Sequence, residues 1–331
     1  MTDFISIGSI TRDVFMQSKD IRTVHSKRFK TGAAECVPLG SKIDIDNIFY
    51  TVGGSASNAA VTFARQGFSS GCIGRLGEDV RASETKKILI KEKLDTSYLQ
   101  FDSQKLTAYS SIFLTPSGER SILAYRGAGE FISSTDISWN KLAKAKWFYI
   151  THLAGHCAPL YPKLINFAAK RGIKVATNPG SSQLSTPAMM RSLLKHVDIL
   201  ILNKEEASYF VNIPYKKTDA IFSKLDNWVK GWVVMTDGPN GVSVSDGKTR
   251  YHAGVLKERK MADRTGAGDA FGSGFVTEMH RNKGNVEKAI AFASANATSV
   301  IEYIGAHPGI LKKGQSSARW GKLKITKKNL H

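Results

Sequence analysis

The sequence predicts an α/β protein with a doubly wound, mostly parallel sheet and a small β-sheet lid. Over most of the 331 residues, short apolar runs alternate with amphipathic helical patterns, which is typical of a parallel sheet covered on both faces. The hydrophobic content of 42% is sufficient for one large core. Two regions interrupt this alternation with half-buried strand patterns, and they indicate a second, smaller sheet.

The main elements follow one another in a regular order. Five apolar runs of strand length are predicted as buried strands, namely residues 4–8, 147–151, 173–177, 197–202 and 232–236. Six segments have helical periodicity, namely residues 59–66, 160–171, 188–196, 218–230, 270–280 and 286–301. In such sheets ligands bind beyond the carboxyl ends of the strands, so the segments after these strands supply the candidate site residues.

The lid strands are predicted within two inserted regions, approximately residues 14–52 and 105–126. In the first, residues 42–46 alternate polar with apolar side chains. In the second, residues 108–114 and 121–125 are two strand patterns joined by a Pro-Ser-Gly turn. No linker or internal repeat separates these regions from the rest, so we expect one domain with an inserted lid.

The most informative segment is the turn formed by Gly266, Ala267 and Gly268, which directly precedes a helical pattern. A glycine-rich turn at a helix N-terminus leaves backbone N–H groups available for an anion, and the helix dipole favours negative charge there. Asp269 follows at once, and a carboxylate beside a bound phosphate suits a reaction that removes a proton from a hydroxyl. The pattern indicates phosphoryl transfer. The alternative is an ordinary turn with Asp269 as a first-turn acid.

A second glycine-rich turn, at Gly53 and Gly54, also precedes a helical pattern. Glycine lets the backbone approach a ligand closely, and Asn58 offers both a hydrogen-bond donor and an acceptor a turn later. Two such turns in one chain favour a ligand-binding cleft over two accidental turns.

With these motifs the chain resembles the ribokinase or PfkB family of sugar and nucleoside kinases. The matching segments occur in the family's order and run to about Gly309; they are Gly8-Ser9-Ile10-Thr11-Arg12-Asp13, Gly53 to Asn58, Asn203-Lys204-Glu205-Glu206, Thr236-Asp237-Gly238-Pro239-Asn240-Gly241 and Asp263 to Asp269. The resemblance implies a ribokinase-like domain over residues 1–311, followed by a basic C-terminal tail over residues 312–331.

The resemblance also implies an ATP-dependent, magnesium-requiring kinase that phosphorylates a primary hydroxyl of a small sugar. Asp269 would be the general base, and the amides of Gly266, Ala267 and Gly268 would form the anion hole. The implied substrate-binding residues are Asp13, Gly53, Gly54 and Asn58, and Arg126 is a further candidate because of its place near the lid. The implied nucleotide-binding residues are Asn203, Glu206, Thr236, Gly238 and Gly241. A nucleoside is the alternative acceptor.

Two sets of residues are candidates for holding cations. The resemblance implies that Glu206 helps to organise Mg²⁺ through water, and Asn203 with Glu206 also fits a helix capping box; both interpretations can hold together. Asp263 and Thr265 match the potassium site of those family members that need a monovalent cation. Alternatively, Asp263 only fixes the loop before the anion hole.

Several positions leave the identity of the substrate open. Thr11 stands where ribokinases usually have asparagine, and residues 77–82 are a degenerate form of the family's Gly-x-Asp-x-x-Gly element. Arg126, near the lid, suits a substrate carboxylate or phosphate, although a solvated or structurally paired arginine is the commoner case. Apolar residues of the segment 27–50 suit either the flat base of a nucleoside or the packing of the lid sheet.

The net charge of +19 admits a different class of function. Seven positive charges, and no acidic residue, fall in residues 312–331. A basic surface attracts phosphorylated ligands as well as nucleic acid. A catalytically weak, polyanion-binding protein is therefore the lower-ranked alternative. The chain has no recognisable nucleic-acid motif, so nucleic acid is not an expected partner.

The remaining expectations concern partners and location. Neither a signal peptide nor an apolar run of membrane-spanning length is recognisable, so we expect a cytoplasmic protein with no membrane partner. It would be a monomer or a homodimer that associates through the lid. No Gly-x-Gly-x-x-Gly follows the first strand, which argues against a dehydrogenase. Free thiols and structural histidines are expected at Cys36, Cys72, Cys157, His152 and His156, whose spacing matches no disulfide framework or complete metal site.

Overall fold

The computed structural model describes residues 2–29, 32–115 and 120–330. The strands of these residues are β1 Phe4–Ile7, β2 Thr11–Gln17, β3 Arg22–His25, β4 Ala33–Cys36, β5 Asn47–Gly53, β6 Ser70–Ile73, β7 Arg75–Gly77, β8 Gln100–Asp102, β9 Tyr109–Leu114, β10 Arg120–Tyr125, β11 Trp147–Ile150, β12 Lys174–Thr177, β13 Ile199–Asn203, β14 Trp232–Thr236, β15 Val242–Ser245, β16 Thr249–Ala253 and β17 Ile325–Asn329. The α-helices are α1 Ser55–Arg65, α2 Val80–Lys91, α3 Trp139–Leu142, α4 Leu160–Arg171, α5 Ser181–Leu184, α6 Pro187–Leu194, α7 Lys204–Val211, α8 Thr218–Asp226, α9 Ala267–Arg281, α10 Val286–Ile301 and α11 Ala306–Gly309. The predicted turn between β9 and β10 has its residues 116–119 outside the described ranges.

A nine-stranded sheet forms the centre of the fold, with the order β17-β16-β15-β14-β13-β12-β11-β1-β6. From β6 to β14 neighbouring strands are parallel, and β15, β16 and β17 add an antiparallel edge. The predicted buried strands correspond to β1, β11, β12, β13 and β14, each within two residues at either end. The prediction of a doubly wound, mostly parallel sheet is therefore confirmed.

Helices cover both faces of this sheet because the strand side chains alternate between two apolar layers. In β11, Phe148 and Ile150 belong to a cluster with residues of α4, α6, α7 and α8, whereas Trp147 and Tyr149 belong to a cluster with residues of α1, α9 and α10. The second layer positions the site, because α1 and α9 are the helices that follow the two glycine-rich turns.

The lid is a four-stranded sheet with the order β10-β9-β2-β5. Strand β2 pairs with β5 in an antiparallel and with β9 in a parallel arrangement, so both inserted regions contribute to one sheet. Strand β2 follows β1 after three residues, and β5 runs directly into the turn before α1. The lid is therefore continuous with two segments that line the cleft.

The prediction of a strand at residues 42–46 is wrong, because β5 begins at Asn47. The preceding residues are held by local contacts: the Ser18 hydroxyl donates to the Asp44 carbonyl (2.7 Å), and the Lys19 amide donates to the Asp46 carboxylate (2.9 Å). Side-chain hydrogen bonds of this kind compete with a strand ladder. The alternating pattern indicated an extended segment but not the residue at which pairing begins.

One face of the lid sheet exposes large apolar side chains. Ile48, Tyr50, Leu123 and Tyr125 are between 49% and 64% exposed. The strand register places all four on the face opposite Asp13. A patch of this kind suits association with another surface, and a homodimer through the lid stays a prediction.

The basic C-terminal segment packs onto the domain and is not a separate tail. Ile325–Asn329 pairs with β16, and Trp320 is 6% exposed in a cluster with Leu256 and Leu311. The sequence predicted a tail over residues 312–331, because the few large apolar residues there are too sparse for a helical or strand period. An edge strand needs only the backbone ladder and, in this case, one buried aromatic ring.

Within the described residues, no helix combines the length and the apolar character that crossing a bilayer requires. Cys36, Cys72 and Cys157 are free, and the latter two are buried. No three His, Cys, Asp or Glu side chains in the same part of the chain are grouped so as to hold a metal ion.

Candidate active site

The two glycine-rich turns meet near the carboxyl end of β1. The Ser55 amide at the start of α1 donates to the hydroxyl of Ser9, which follows β1, at 3.1 Å. Helices α1 and α9 pack side by side. The Asn58 amide group on α1 donates a 2.8 Å hydrogen bond to the Asp269 carboxylate on α9, across 211 positions of sequence. The structure thus brings the predicted catalytic and substrate motifs together.

Asp269 lies in the first turn of α9. Part of the residue is accessible to solvent, but protein atoms crowd its carboxylate, and this burial raises the pKa of Asp269. Hydrogen bonds from the Asn58 and Ser55 side chains lower the pKa and oppose part of the effect. A carboxylate with a raised pKa is a stronger base, which suits removal of a proton from a hydroxyl.

The turn before α9 supplies backbone donors. Gly266 is the N-cap and has φ 80°, in the left-handed region where a side chain is strained. The Ala267 amide makes a 3.4 Å contact with the Arg264 carbonyl. Among the described residues we find no partner for the amides of Gly268 and Asp269, which are first-turn donors that a helix leaves unpaired. The Asp269 amide is a donor that the sequence reasoning did not include.

Asp13 extends from lid strand β2 and is 5% exposed. Its Oδ1 has no hydrogen-bond partner within the described part of the chain, and the same holds for Oδ1 of Asn58. An unpaired buried acceptor is unfavourable, so these two oxygens suit the hydroxyl groups of a ligand. Burial raises the pKa of Asp13, and the Ser110 and Thr11 hydroxyls lower it in part.

The two predicted substrate glycines, Gly53 and Gly54, lie where a side chain would collide with neighbouring groups. A Cβ atom on Gly53 would lie 2.0 Å from the Asp13 carboxylate, so any larger residue would displace Asp13. A Cβ atom on Gly54 would lie 2.5 Å from the Ser9 carbonyl oxygen. Both glycines therefore act by allowing close approach of backbone segments.

A cavity of about 110 Å³ lies between the lid and the segments that follow β1 and β11, and it is lined by Thr11 and Ser110, whose side chains contact Asp13. Its lining includes the hydroxyl and charged residues Ser9, Ser110, Arg126, Glu130 and His152. The Arg126 guanidinium lies 4.0 Å from the Glu130 carboxylate, and 62% of the Arg126 side chain is exposed. Arg126 is therefore a paired and mostly exposed residue that also lines the cavity, and its contact with a substrate anion stays a prediction.

Sequence reasoning does not identify Glu130 and His152 as cavity residues. His152 comes two residues after β11, and its place beyond the carboxyl end of a parallel strand is the signal that identifies it. Burial lowers the pKa of His152, and Arg126 lowers it further, whereas Glu130 raises it. Glu130 follows a lid strand in a short turn and has no comparable sequence signal.

Asn203 and Glu206 form a capping box at the start of α7. The Asn203 side chain accepts from the Glu206 amide (2.8 Å), and the Glu206 carboxylate accepts from the Asn203 amide (2.9 Å). The capping interpretation is therefore confirmed, and it engages only Oε2 of the Glu206 carboxylate. Burial raises the pKa of Glu206.

The predicted nucleotide segments lie side by side. Thr236 pairs with Asn203 in the parallel register of β13 and β14, so both lie at the carboxyl ends of their strands. Gly238 begins and Gly241 ends the short turn after β14. Asn203, Thr236, Gly238 and Gly241 lie at the same end of the sheet as the two glycine-rich turns, which precede α1 and α9.

Asp263 is fully buried and fixes the loop before α9. Its Oδ1 accepts from the Thr265 amide (2.9 Å) and hydroxyl (2.7 Å), and its Oδ2 accepts from the Gly305 amide (3.1 Å). Arg120 of the lid lies 3.9 Å from Oδ1. A carboxylate with these donors and a guanidinium beside it fits a potassium ion poorly, because the cation would compete with groups that already stabilise its charge. The loop-fixing interpretation accounts for every one of these contacts.

Comparison with known proteins agrees with this geometry. The family model for pfkB family carbohydrate kinases matches residues 2–313. The chain belongs to this family. The ribokinase of Haemophilus influenzae is 29% identical to this pfkB-family kinase over 283 residues, and the match covers 82% of this chain and 88% of the relative. The probable fructokinase-5 of Arabidopsis thaliana is 24% identical over 281 residues, and the match covers 78% of this chain and 84% of the relative.

Solved structures with the same fold include kinases for sugars and for nucleosides. Arabidopsis thaliana ribokinase complexed with ribose and ATP has a TM-score of 0.76 at 21% identity, covering 94% of this chain and 96% of that chain. Ribokinase from Giardia lamblia has a TM-score of 0.78 at 18% identity, covering 95% and 97%. A Burkholderia thailandensis nucleoside kinase in complex with inosine has a TM-score of 0.75 at 16% identity, covering 96% and 97%. The predicted ribokinase-like fold is confirmed.

Family membership also confirms the predicted class of reaction. The pfkB-family kinase is a phosphotransferase, and its relatives by sequence are ribokinases and fructokinases.

Proposed function

We propose that this pfkB-family kinase transfers the γ-phosphate of ATP to a primary hydroxyl of a small sugar. The observation that carries the proposal is the 2.8 Å hydrogen bond between Asn58 and Asp269. It joins a substrate motif to the carboxylate that lies beside the unpaired amides of α9. Ribose and ATP are the ligands of the Arabidopsis thaliana ribokinase, whose fold this chain shares.

In the proposed reaction the hydroxyl oxygen attacks the γ-phosphorus while its proton passes to Asp269. The bond from the γ-phosphorus to the bridging oxygen breaks with its electron pair on ADP, so the products are a phosphorylated sugar, ADP and one proton. The amides of Gly266, Ala267, Gly268 and Asp269 offset the charge that develops on the transferred group. Asn58 orients Asp269, and its unpaired Oδ1 accepts from another substrate hydroxyl.

Magnesium supplies charge neutralisation at the phosphates when it accompanies the nucleotide. Glu206 would hold it through water, because the capping box engages only one of its carboxylate oxygens. Asn203, Thr236, Gly238 and Gly241 would border the nucleotide at the ends of β13 and β14.

The cavity supports a sugar as acceptor over a nucleoside. Its volume of about 110 Å³ is small beside the roughly 300–1,000 Å³ of most ligand pockets. Asp13 and Asn58 each leave an acceptor oxygen that sugar hydroxyls would satisfy. A nucleoside base would need an apolar wall; Tyr50 lies on the face opposite Asp13, whereas Phe49 shares the Asp13 face and Tyr125 and Leu153 line the cavity. A nucleoside therefore stays the second candidate.

Replacing the proposed base tests the mechanism. Asp269→Asn should preserve the fold and ATP binding but lower kcat by about two to four orders of magnitude, the usual contribution of a general base. The measurements are ADP release with the best sugar and ATP binding by calorimetry. Asp219→Asn is the matched control, because Asp219 is also a first-turn acid, on α8, and its side chain is 79% exposed. Near-normal turnover of Asp269→Asn would remove Asp269 from the mechanism.

A screen of ADP release over pentoses, hexoses, sugar acids and nucleosides identifies the acceptor. We expect a neutral sugar to be phosphorylated, and adenosine, guanosine, inosine and cytidine to be inactive at millimolar concentration. Preference for a sugar acid that is lost in Arg126→Gln would assign Arg126 to the substrate carboxylate. Turnover of a nucleoside without turnover of any sugar would establish the second candidate instead.

A further inference from the structure

A buried carboxylate connects the end of α10 to two other segments. Glu302 follows α10 directly and is 5% exposed. Its Oε1 accepts from the Arg259 amide (2.9 Å) and from the Trp320 indole N–H (2.8 Å), and its Oε2 pairs with the Arg319 guanidinium (3.1 Å). Burial opposes ionisation, but these donors together hold the pKa of Glu302 below its usual range. The side chain is therefore a charged anchor with every contact on other segments.

Arg259 belongs to the loop that carries the anion hole. Residues 254–266 connect β16 with α9 and contain no helix or strand. The end of α10 anchors this loop at two places. Glu302 accepts from Arg259, and the Ile301 carbonyl accepts from the amides of Ala262 (2.8 Å) and Asp263 (3.3 Å). Asp263 then orders the last residues before the helix.

The other two donors to Glu302 come from the C-terminal segment, residues 314–330. The family match ends at residue 313, so Trp320 and Arg319 lie beyond the part of the chain that the family model describes. Trp320 also packs against Leu256 of the loop, and β17 attaches the segment to β16. The segment therefore reaches the loop both by apolar packing and through Glu302.

We propose that Glu302 is a positioning residue for phosphoryl transfer and that the C-terminal segment completes its anchor. Glu302 holds the loop 254–266, so that the amides before α9 keep their place beside Asp269. This inference rests on the proposed function, because it assigns the loop to the phosphate. A displacement of about 1 Å at a reacting centre lowers turnover by up to a hundredfold, which sets the size of the expected effect.

Two substitutions of Glu302 separate its acceptor oxygen from its charge. Glu302→Leu removes all three contacts, so kcat should fall by roughly ten- to a hundredfold while KM for the sugar changes little. Glu302→Gln keeps an acceptor for Arg259 and Trp320 and loses only the ion pair, so it should restore most of the turnover. Glu287→Leu, at an exposed position in the first turn of α10, is the matched control and should change neither constant.

Changes in the C-terminal segment test its part in the anchor. Trp320→Phe removes the indole N–H but keeps an aromatic ring in the cluster, so the fall in kcat should be smaller than in Glu302→Leu. Removal of residues 315–331 should lower kcat at least as much as Glu302→Leu. Circular dichroism and thermal melting establish that each variant is folded at the assay temperature.

Hydrogen–deuterium exchange supplies a readout that is independent of turnover. The amides of Arg259, Ala262, Asp263 and Thr265, which are hydrogen-bonded in the wild type, should exchange faster in Glu302→Leu. Unchanged exchange, or unchanged kcat, in a folded Glu302→Leu variant would overturn the inference. If the wild type phosphorylates no acceptor in the screen, the proposed function fails, and the exchange measurement still decides whether Glu302 holds the loop.

Discussion

At the scale of single residues, the site depends on opposing influences on one carboxylate. Burial raises the pKa of Asp269, and hydrogen bonds from Asn58 and Ser55 lower it. A general base works only when it is deprotonated, so activity should be lost as pH falls through the pKa of Asp269 in the folded enzyme. If Asp269 is the base, as proposed, the two hydrogen bonds help to set the acid limit of activity.

Removing one of these donors should shift that limit. Asn58→Leu deletes the hydrogen bond to Asp269, so the pKa of Asp269 should rise further and the acid limb of kcat/KM should move to higher pH. A hydrogen bond to a carboxylate stabilises its ionised form, so the midpoint of the acid limb should move measurably to higher pH. Asn227→Leu, at the exposed end of α8, is the control. An unchanged midpoint in the pH–rate profile would limit Asn58 to substrate binding.

At the scale of elements, the junction between the loop and α9 leaves no room for a side chain at Gly266. Gly266 has φ 80°, and a Cβ atom there would lie 2.4 Å from the Ala306 Cβ atom at the start of α11. Glycine is therefore required both by the backbone conformation and by the contact between the turn and α11.

Gly266→Ala should displace the anion hole. The left-handed conformation disfavours alanine by about 1–2 kcal/mol, and the contact with Ala306 adds to this strain, so kcat should fall about tenfold or more. Gly247→Ala is the matched control, because Gly247 has φ 82° in the turn between β15 and β16 and its nearest neighbour, the Asp226 Cβ atom, lies 3.6 Å away. It should lower the free energy of unfolding without lowering turnover. Equal kcat values for the two variants, measured by ADP release, would contradict this account.

The sequence predicted the main sheet well because burial on both faces leaves a strong local pattern. β13 is a continuous apolar run, and its flanking residues mark where it ends. β17 has no such pattern, because its residues are mostly exposed and include Lys327 and Lys328. Its pairing depends on the free edge of β16, which no local window of sequence describes.

The same distinction applies to the site. The glycine-rich turns were predictable because a turn, a helix start and a carboxylate occur within a few residues of each other. Glu302 was not predictable, because its contacts are with segments that are distant in sequence. Glu130 was not predictable either, because it lies in a short irregular turn. Single glutamates on a chain with 28 acidic residues carry no signal of their own.

At the scale of the whole molecule, a buried histidine makes stability depend on pH. His307 on α11 is 6% exposed, and neither ring nitrogen has a partner among the described residues. Burial, with a further contribution from Arg65, lowers the pKa of His307 from 6.5 to about 4. Between these values the unfolded chain binds a proton that the folded chain excludes. The free energy of unfolding should therefore fall as pH falls from about 6.5 to about 4.

Replacing His307 should reduce this dependence. His307→Leu removes a titration that contributes up to about 3 kcal/mol over the range and leaves no ring nitrogen unpaired. Urea unfolding at about pH 7.5 and pH 5 should show a larger loss of stability in the wild type than in the variant. His25→Leu, at an exposed position on strand β3, is the control. The same loss in the wild type and in His307→Leu would assign the pH dependence to other groups.

The two aspartates lie on different parts of the molecule, one on the lid and one on the main domain, and this division affects the expected rate of ATP hydrolysis by water. Asp13 lies on a lid strand, whereas Asp269 lies on a helix of the main domain. Oδ1 of Asp13 is buried and has no donor among the described residues, so an acceptor whose hydroxyl reaches it would favour the closed lid. Futile hydrolysis of nucleotide should accordingly stay slow while no sugar is bound, and consumption of ATP should follow the supply of acceptor.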